Sequence, residues 1–255
     1  MTKIALAVCC NNTKPATLAS LMQIAHSRVV CGWTTVGVGL LPFVRNGAIQ
    51  QVYEKQPDFT HLLFVDDDMS DFNEDHVLAL LEADEPIISG LITARLPPYK
   101  LISSLQGVEP KQVLEYIQTN TVVKEDHVGM AFTLIKRRVL DALKQPNDIW
   151  FTMDRMPRKS FMHETAVFIE GLADSSKPEV ERYKEAIAWG RLAHVGAELI
   201  GEDVEFCRRA KHMGFDSFTH CGVVIGHIGS RPYTVRDNLI FRAEEEALKC
   251  ENSNI

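Results

Sequence analysis

Three adjacent acids, Asp66, Asp67 and Asp68, follow the apolar run 62–65 in the stretch "HLLFVDDDMS". Neighbouring carboxylates repel one another, and turn geometry needs only one acid. Three of them at the end of a buried run call for a cation. Hard divalent ions take oxygen ligands, and Mg2+ or Mn2+ commonly binds through one or two carboxylates together with substrate phosphates. In an extended chain, residues i and i+2 face the same side. Asp66 and Asp68 are therefore expected to point into one cleft and Asp67 away from it. A solvated turn is the ordinary alternative, but it suits a single Asp-x-Asp better than three acids after a wholly apolar run.

Other residues carry chemical potential further along the chain. His227 closes the strand-like "CGVVIGHIG", flanked by Gly226 and Gly229. A lone histidine there is either structural or a metal ligand. Glu202 and Asp203 open the helical stretch "GEDVEFCRRAKHMGF". Acids in a first helical turn stabilise the helix dipole by about 0.3–1 kcal/mol without any further role. Successive helical side chains diverge by about 100°, so only one of the two is expected to face a cleft. Trp150, Phe151 and Trp189 suit either core packing or stacking against a ligand ring. Lys136, Arg137 and Arg138 in "IKRRV", with Arg155, Arg158 and Lys159 in "MDRMPRKS", read as solvated surface or as a basic rim. Glu164 follows His163 without a convincing metal partner.

These residues need a scaffold. "KIALAVCC", "TTVGVGLL", "HLLFV" and "PIISGLI" read as strands. Between them, "ATLASLMQIAHS" has helical spacing with Leu18, Leu21, Met22 and Ala25 on one face, and "NGAIQQVYEKQ" is part of a second helix. A third helix starts at Asn73-Glu74-Asp75, with Val77, Leu78, Leu80 and Leu81 as its apolar face. Alternating strands and helices over the first ~100 residues predict an α/β fold, a mostly parallel sheet flanked by helices. Ligands of such sheets bind beyond the carboxyl ends of the strands, where Asp66 to Asp68 stand. In the second half, "GMAFTLIKRRVLDAL" reads as a strand or turn leading into a helix, "KPEVERYKEAIAWGRL" as a helix, and "NLIFRAEEEALK" as an amphipathic helix docked on the body.

The chain has 255 residues, 45% hydrophobic and 24% charged, with a formal net charge of -7. That composition supports one globular domain. The negative balance argues against broad nucleic-acid or anionic-membrane binding, while leaving room for a local basic groove. The first residues do not read as a signal peptide, and no apolar run approaches the ~20 residues of a membrane helix. The six cysteines form no C-x-x-C pair, which suggests reduced thiols and a cytoplasmic setting.

Taken together, "FVDDDM", "VRNGAI", "PIISGLITARLPPY", "HVGMAFTLIKRRVLDAL", "GEDVEFCRRAKHMGF" and "GHIGSRPYT" resemble, in order and approximate spacing, the motifs of GT-A fold glycosyltransferases, particularly small family 2-like members. The resemblance implies a Rossmann-like GT-A domain over 1–236. It divides into a nucleotide-sugar half at 1–100 and an acceptor half at 101–236, with an unmatched segment at 155–195 and a C-terminal tail at 237–255. It implies transfer of a sugar from a nucleotide diphosphate donor, most simply a UDP-sugar, with Asp68 and His227 as metal ligands. Asp66 would bind the ribose, or the metal through water, and Asp67 is the doubtful member of the three. A carboxylate with an imidazole favours Mn2+ over Mg2+ on ligand softness. Arg45 and Asn46, at or before the start of the second helix, are either a solvated Arg with a capping Asn or contacts to the donor nucleotide. Asn11 and Thr13, in the loop after the first strand, are candidates for the nucleobase. Asp203 is implied as the base that inverts the anomeric carbon, with Glu202 orienting it or touching the acceptor. The acceptor is a saccharide, a lipid-linked glycan or a hydroxymethylated pyrimidine in DNA; the oligomeric state stays open. A non-catalytic nucleotide-sugar-binding protein is the alternative. A nucleotidyltransferase is another, weakened because "CCNNTKP" has no glycine for a phosphate loop.

Overall fold

Strands β1 (Ile4–Cys9), β2 (Val30–Val36) and β3 (His61–Asp66) form one half of the sheet, with β1 paired in parallel to both others. Every residue of β1 is buried, as befits a strand covered on both faces. Beyond β3 lies β7 (Phe132–Lys136), which runs antiparallel to β3 and to β5 (Ile87–Ile92). The first part of β10 (Ser217–Ile228) is parallel to β5. The order is β11-β10-β5-β7-β3-β1-β2, with β11 at Pro232–Tyr233. Two short strands, β4 (Met69–Ser70) and β6 (Val122–Glu125), pair antiparallel with β10. A separate ladder joins β8 (Asp154–Pro157) to β9 (Ala197–Ile200). The sheet is thus mostly parallel, as expected, with one antiparallel strand in its middle.

This computed structural model describes residues 2–9, 13–37, 40–96, 99–145, 148–152, 154–157, 197–229 and 231–252; in β8, β9 and beyond 245 only the backbone is described. The helix read at 177–192 lies outside the described residues, as do Arg158, Lys159, His163, Glu164 and Trp189.

Alternation along the central strands divides the core. Ala5, Ala7, Leu62 and Phe64 face one layer with helices α2 (Leu41–Lys55), α5 (Arg137–Leu143) and α6 (Glu202–His212), through Ile49, Leu140 and Phe206. Ile4, Leu6, Leu63 and Val65 face the other layer, with Leu21 and Ile24 of α1 (Pro15–Ala25) and Val77 and Leu80 of α3 (Glu74–Glu82). A third cluster joins Val113 of α4 (Pro110–Gln118) to Val235 of α7 (Val235–Asn252).

Four sequence expectations need correction. The buried face of α1 is Thr17, Ser20, Leu21 and Ile24, while Leu18 and Met22 are exposed. The reason is polar: the Thr17 hydroxyl donates to the Asp67 carbonyl at 2.9 Å. Strand β2 begins four residues before "TTVGVGLL" and ends at Val36. Helix α2 starts at Leu41, with Pro42 in its first turn where a missing N–H costs nothing. Arg45 and Asn46 therefore lie inside the helix, and Asn46 caps nothing. Finally, the extended chain of β3 ends at Asp66, and residues 67 and 68 form a turn before β4. Strand alternation does not extend to Asp68.

Candidate active site

That turn is clamped from three sides. The Asp66 amide donates to the Ala131 carbonyl at 2.8 Å. The Asp67 carbonyl accepts from the Lys14 amide at 3.1 Å as well as from Thr17. The Asp68 carbonyl accepts from the Ile228 amide at 2.7 Å. The last contact follows from β10 lying against β4, with His227 opposite Met69. Gly226 makes that approach possible, since a Cβ there would sit 2.4 Å from Asp71 Oδ2 and 2.5 Å from Ser70 Oγ.

All three acids line a cleft of about 520 Å3 at the carboxyl ends of β1, β3 and β10. Arg45 borders it from α2, Gly129 and Met130 from the segment before β7, Glu202 and Asp203 from the start of α6, and Arg95 from the loop after β5. His227 closes one side. Asp67 is part of this lining, contrary to its expected outward direction.

His227 and Asp68 form a pair. The imidazole Nε2 lies 3.2 Å from Asp68 Oδ2, and Nδ1 donates to the Thr93 carbonyl at 2.9 Å. That carbonyl holds a proton on Nδ1 and leaves Nε2 turned to the carboxylate, the arrangement typical of ligating histidines. Burial pushes the His227 pKa down, but the Asp68 hydrogen bond, the Thr93 carbonyl and the Asp68 charge outweigh it, and the net direction is up. For Asp68, burial acts upward and is outweighed by His227 and Arg95, so its pKa falls. Arg95 Nη1 donates to the same Oδ2 at 2.5 Å.

Asp66 has a different environment. Its Oδ2 accepts from Arg45 Nη2 at 3.3 Å. Arg45 is buried and also reaches Glu202 Oε1 through Nε at 3.4 Å and the Met130 carbonyl through Nη1 at 3.3 Å. Its guanidinium lies 5.5 Å from the ring centre of Phe64 and 5.9 Å from that of Phe151. Burial opposes the Arg45 charge, yet Asp66, followed by Cys9, Glu202 and Asp203, raises its pKa. Burial also dominates at Asp66, and with repulsion from Asp68 and Asp67 it raises the pKa despite Arg45. Asp66 Oδ1 is buried with no hydrogen-bond partner among the described residues.

Asp203 Oδ1 accepts from the Val204 amide at 2.8 Å, and Oδ2 faces Gly129. A Cβ on Gly201 would stand 2.8 Å from Oδ1, so glycine before the acidic pair leaves the carboxylate its place.

Not every expected residue gathers here. Asn46 pins the chain at 150 and 151 to α2: its Oδ1 accepts from both amides at 2.8 Å, and its Nδ2 donates to the Phe151 carbonyl at 2.8 Å. Thr13 is exposed before α1 and does not line the cleft, and Asn11 lies outside the described residues. Trp150 and Phe151 are buried, with Phe151 stacked on Phe206 at 4.5 Å, so neither offers a platform to a sugar. Lys136 pairs with His61 at the start of β3, so the run 136–138 stands at the sheet end opposite the aspartates and forms no rim around them. Sequence reasoning gave no role to Arg95, Gly129 or Met130. Only the basic character of Arg95 could have signalled it.

Asp68 and the Nε2 of His227 suit a hard or borderline divalent ion. Among the described residues, no group of three or more His, Cys, Asp or Glu side chains is gathered closely enough to hold a metal. Two protein ligands with the rest supplied by phosphate and water is an ordinary Mg2+ or Mn2+ arrangement. No described helix is long and apolar enough to cross a membrane. No family model matches the chain, and no curated protein does. The crystal structure of A197 from STIV is similar over 89% of this chain and 86% of that one, with 14% identity and a TM-score of 0.52. At that identity the likeness shows a shared fold, an α/β sheet flanked by helices.

Proposed function

We propose that the chain is a GT-A-type glycosyltransferase that moves a sugar from a nucleotide diphosphate donor, a UDP-sugar by preference, to an acceptor hydroxyl. The observation that carries this reading is the meeting of the Asp68–His227 pair and Asp203 around one cleft. Asp68 and His227 would hold Mn2+ or Mg2+, which supplies Lewis-acid neutralisation of the departing diphosphate. Asp66, held by Arg45, faces the donor ribose. Asp203 takes the proton from the acceptor hydroxyl as that oxygen forms its bond to the anomeric carbon. The bond from that carbon to the diphosphate oxygen breaks on the opposite face, and the configuration inverts. Glu202, tied to Arg45, keeps the start of α6 in register with β3. The acceptor is a saccharide or a hydroxymethylated pyrimidine in DNA.

A panel of nucleotide sugars assayed for slow hydrolysis, with Mn2+ and with EDTA, tests the reading without knowing the acceptor. Hydrolysis should require metal and should be lost in Asp68→Asn. Once an acceptor is found, Asp203→Asn should lower transfer by about 10²–10⁴-fold while nucleotide-sugar binding survives. A chain that neither binds nor hydrolyses any nucleotide sugar is not this enzyme.

A further inference from the structure

Arg95 sits where the proposed metal and donor phosphates would meet. Its root is fixed: the Ala94 amide donates to the Lys100 carbonyl at 2.8 Å, and Ile102 donates to Ile92 at 2.9 Å, closing the loop behind it. Thr93, two residues before it, supplies the carbonyl that orients His227. The tip of Arg95 is freer. Its side chain is 53% exposed, against 16% for both Asp68 and His227. One carboxylate oxygen, Asp68 Oδ2, takes both Arg95 Nη1 and His227 Nε2.

A divalent ion on Asp68 and His227 would compete for that oxygen and repel the guanidinium. Arginine does not deprotonate in proteins, so it cannot yield by neutralising. It must move, and its exposed side opens into the cleft. The planar guanidinium matches phosphate oxygens with two parallel hydrogen bonds.

We propose, resting on the glycosyltransferase reading, that Arg95 is a diphosphate-binding residue that holds Asp68 until the donor arrives. On loading, it exchanges the carboxylate for the donor diphosphate. Metal and nucleotide then bind cooperatively, each tightening the other by the same factor. The metal alone binds weakly because Arg95 competes for its ligand.

Isothermal titration of wild type, Arg95→Gln and Arg95→Lys tests this, with Mn2+ alone and then with UDP at saturating Mn2+. Arg95→Gln should bind Mn2+ alone about three- to fivefold more tightly, the size of a half-exposed ion pair. It should bind UDP about tenfold or more weakly, the loss of a charge-assisted hydrogen bond. Arg95→Lys should keep the weak Mn2+ affinity while recovering only part of the UDP affinity. Either Arg95→Gln change without the other overturns the exchange, and so does a lysine variant that binds Mn2+ like the glutamine one. If wild type binds UDP with Mn2+ but the variants do not differ from it, only the role of Arg95 falls. If wild type binds no UDP, the glycosyltransferase reading falls with it.

Discussion

Two arginines hold two of the adjacent aspartates, and they do so in opposite ways. Arg45 approaches Asp66 from inside the fold, with its side chain 3% exposed, and bridges it to Glu202. Arg95 approaches Asp68 from the rim of the cleft. Burial raises the Asp66 pKa even beside its arginine, whereas the pKa of Asp68 falls. The two carboxylates are similarly exposed, 19% and 16%, so the difference lies in their arginines: one pair is anchored inside the fold and the other at the rim of the cleft. The repulsion among three adjacent acids is relieved on the inner side by a permanent cation. On the outer side it is relieved by His227, held by the Thr93 carbonyl, and by an exposed arginine able to move.

The largest effect that separates the two pairs should come from Arg45→Ala. Asp66 and Glu202, both half-buried, would lose the buried cation that compensates them, and breaking an ion pair on a buried partner costs up to about 3–5 kcal/mol. Urea unfolding should show that loss. Arg45→Lys should recover only part of it, because an ammonium cannot reach Asp66, Glu202 and the Met130 carbonyl with one planar fork. A loss under about 1 kcal/mol for Arg45→Ala would erase the distinction between framework and rim.

A smaller effect is expected from a double-mutant cycle on Arg95→Gln and Asp68→Asn. Their coupling energy for folding should lie near 0.2–1 kcal/mol, as for partly exposed pairs. It should fade in 1 M salt, where the screening length is about 3 Å. The corresponding cycle on Arg45→Gln and Asp66→Asn should give a larger coupling that salt barely changes. Equal couplings with equal salt response would mean that burial does not distinguish the pairs.

The contrast also marks what could be read from residues alone. The central strands were readable because continuous apolar runs suit strands buried on both faces. Asp66 to Asp68, Glu202, Asp203 and His227 stood out as polar residues at element ends, and the fold brings them to one cleft, although acids at a helix start also have an ordinary use in the helix dipole. What escaped were contacts between residues remote in sequence. Arg45 meets Asp66 and Glu202 through tertiary packing, so helix spacing could not separate it from a solvated arginine. Asn46, expected as a helix cap or a donor contact, instead ties α2 to the chain at 150 and 151. The α1 face was misjudged because Thr17 turns inward to serve the Asp67 carbonyl, leaving Leu18 and Met22 outside. Helix α4 and strand β6 went unread, and α4 buries only Val113.

A last effect, of similar size to the rim coupling, concerns how the outer side is anchored. After Asp68 the chain passes through β4 to α3, whose start is locked by a reciprocal cap: the His76 amide donates to Asn73 Oδ1 at 3.2 Å, and the Asn73 amide donates to His76 Nδ1 at 3.1 Å. That second bond needs Nδ1 unprotonated. Burial lowers the His76 pKa, with Asp75 acting against it. The folded state therefore favours the neutral ring. Its contribution is complete above the ordinary histidine value of about 6.5. It is lost as pH falls through that value toward the lower folded one, because the unfolded chain takes up the proton first. Glutamine at this position can accept the same N–H without titrating. His76→Gln should thus match wild type near neutrality and exceed it by about 0.5–1 kcal/mol at pH 5, the worth of a cap. His61 and His220, whose pKa values burial also lowers, titrate in both proteins, so the difference between the two stability profiles isolates His76. A difference that stays flat from pH 7 to 5 would mean that the bond to the His76 ring contributes nothing to the outer side, leaving the Asn73 side-chain cap and the clamped turn at Asp67 and Asp68 to hold it.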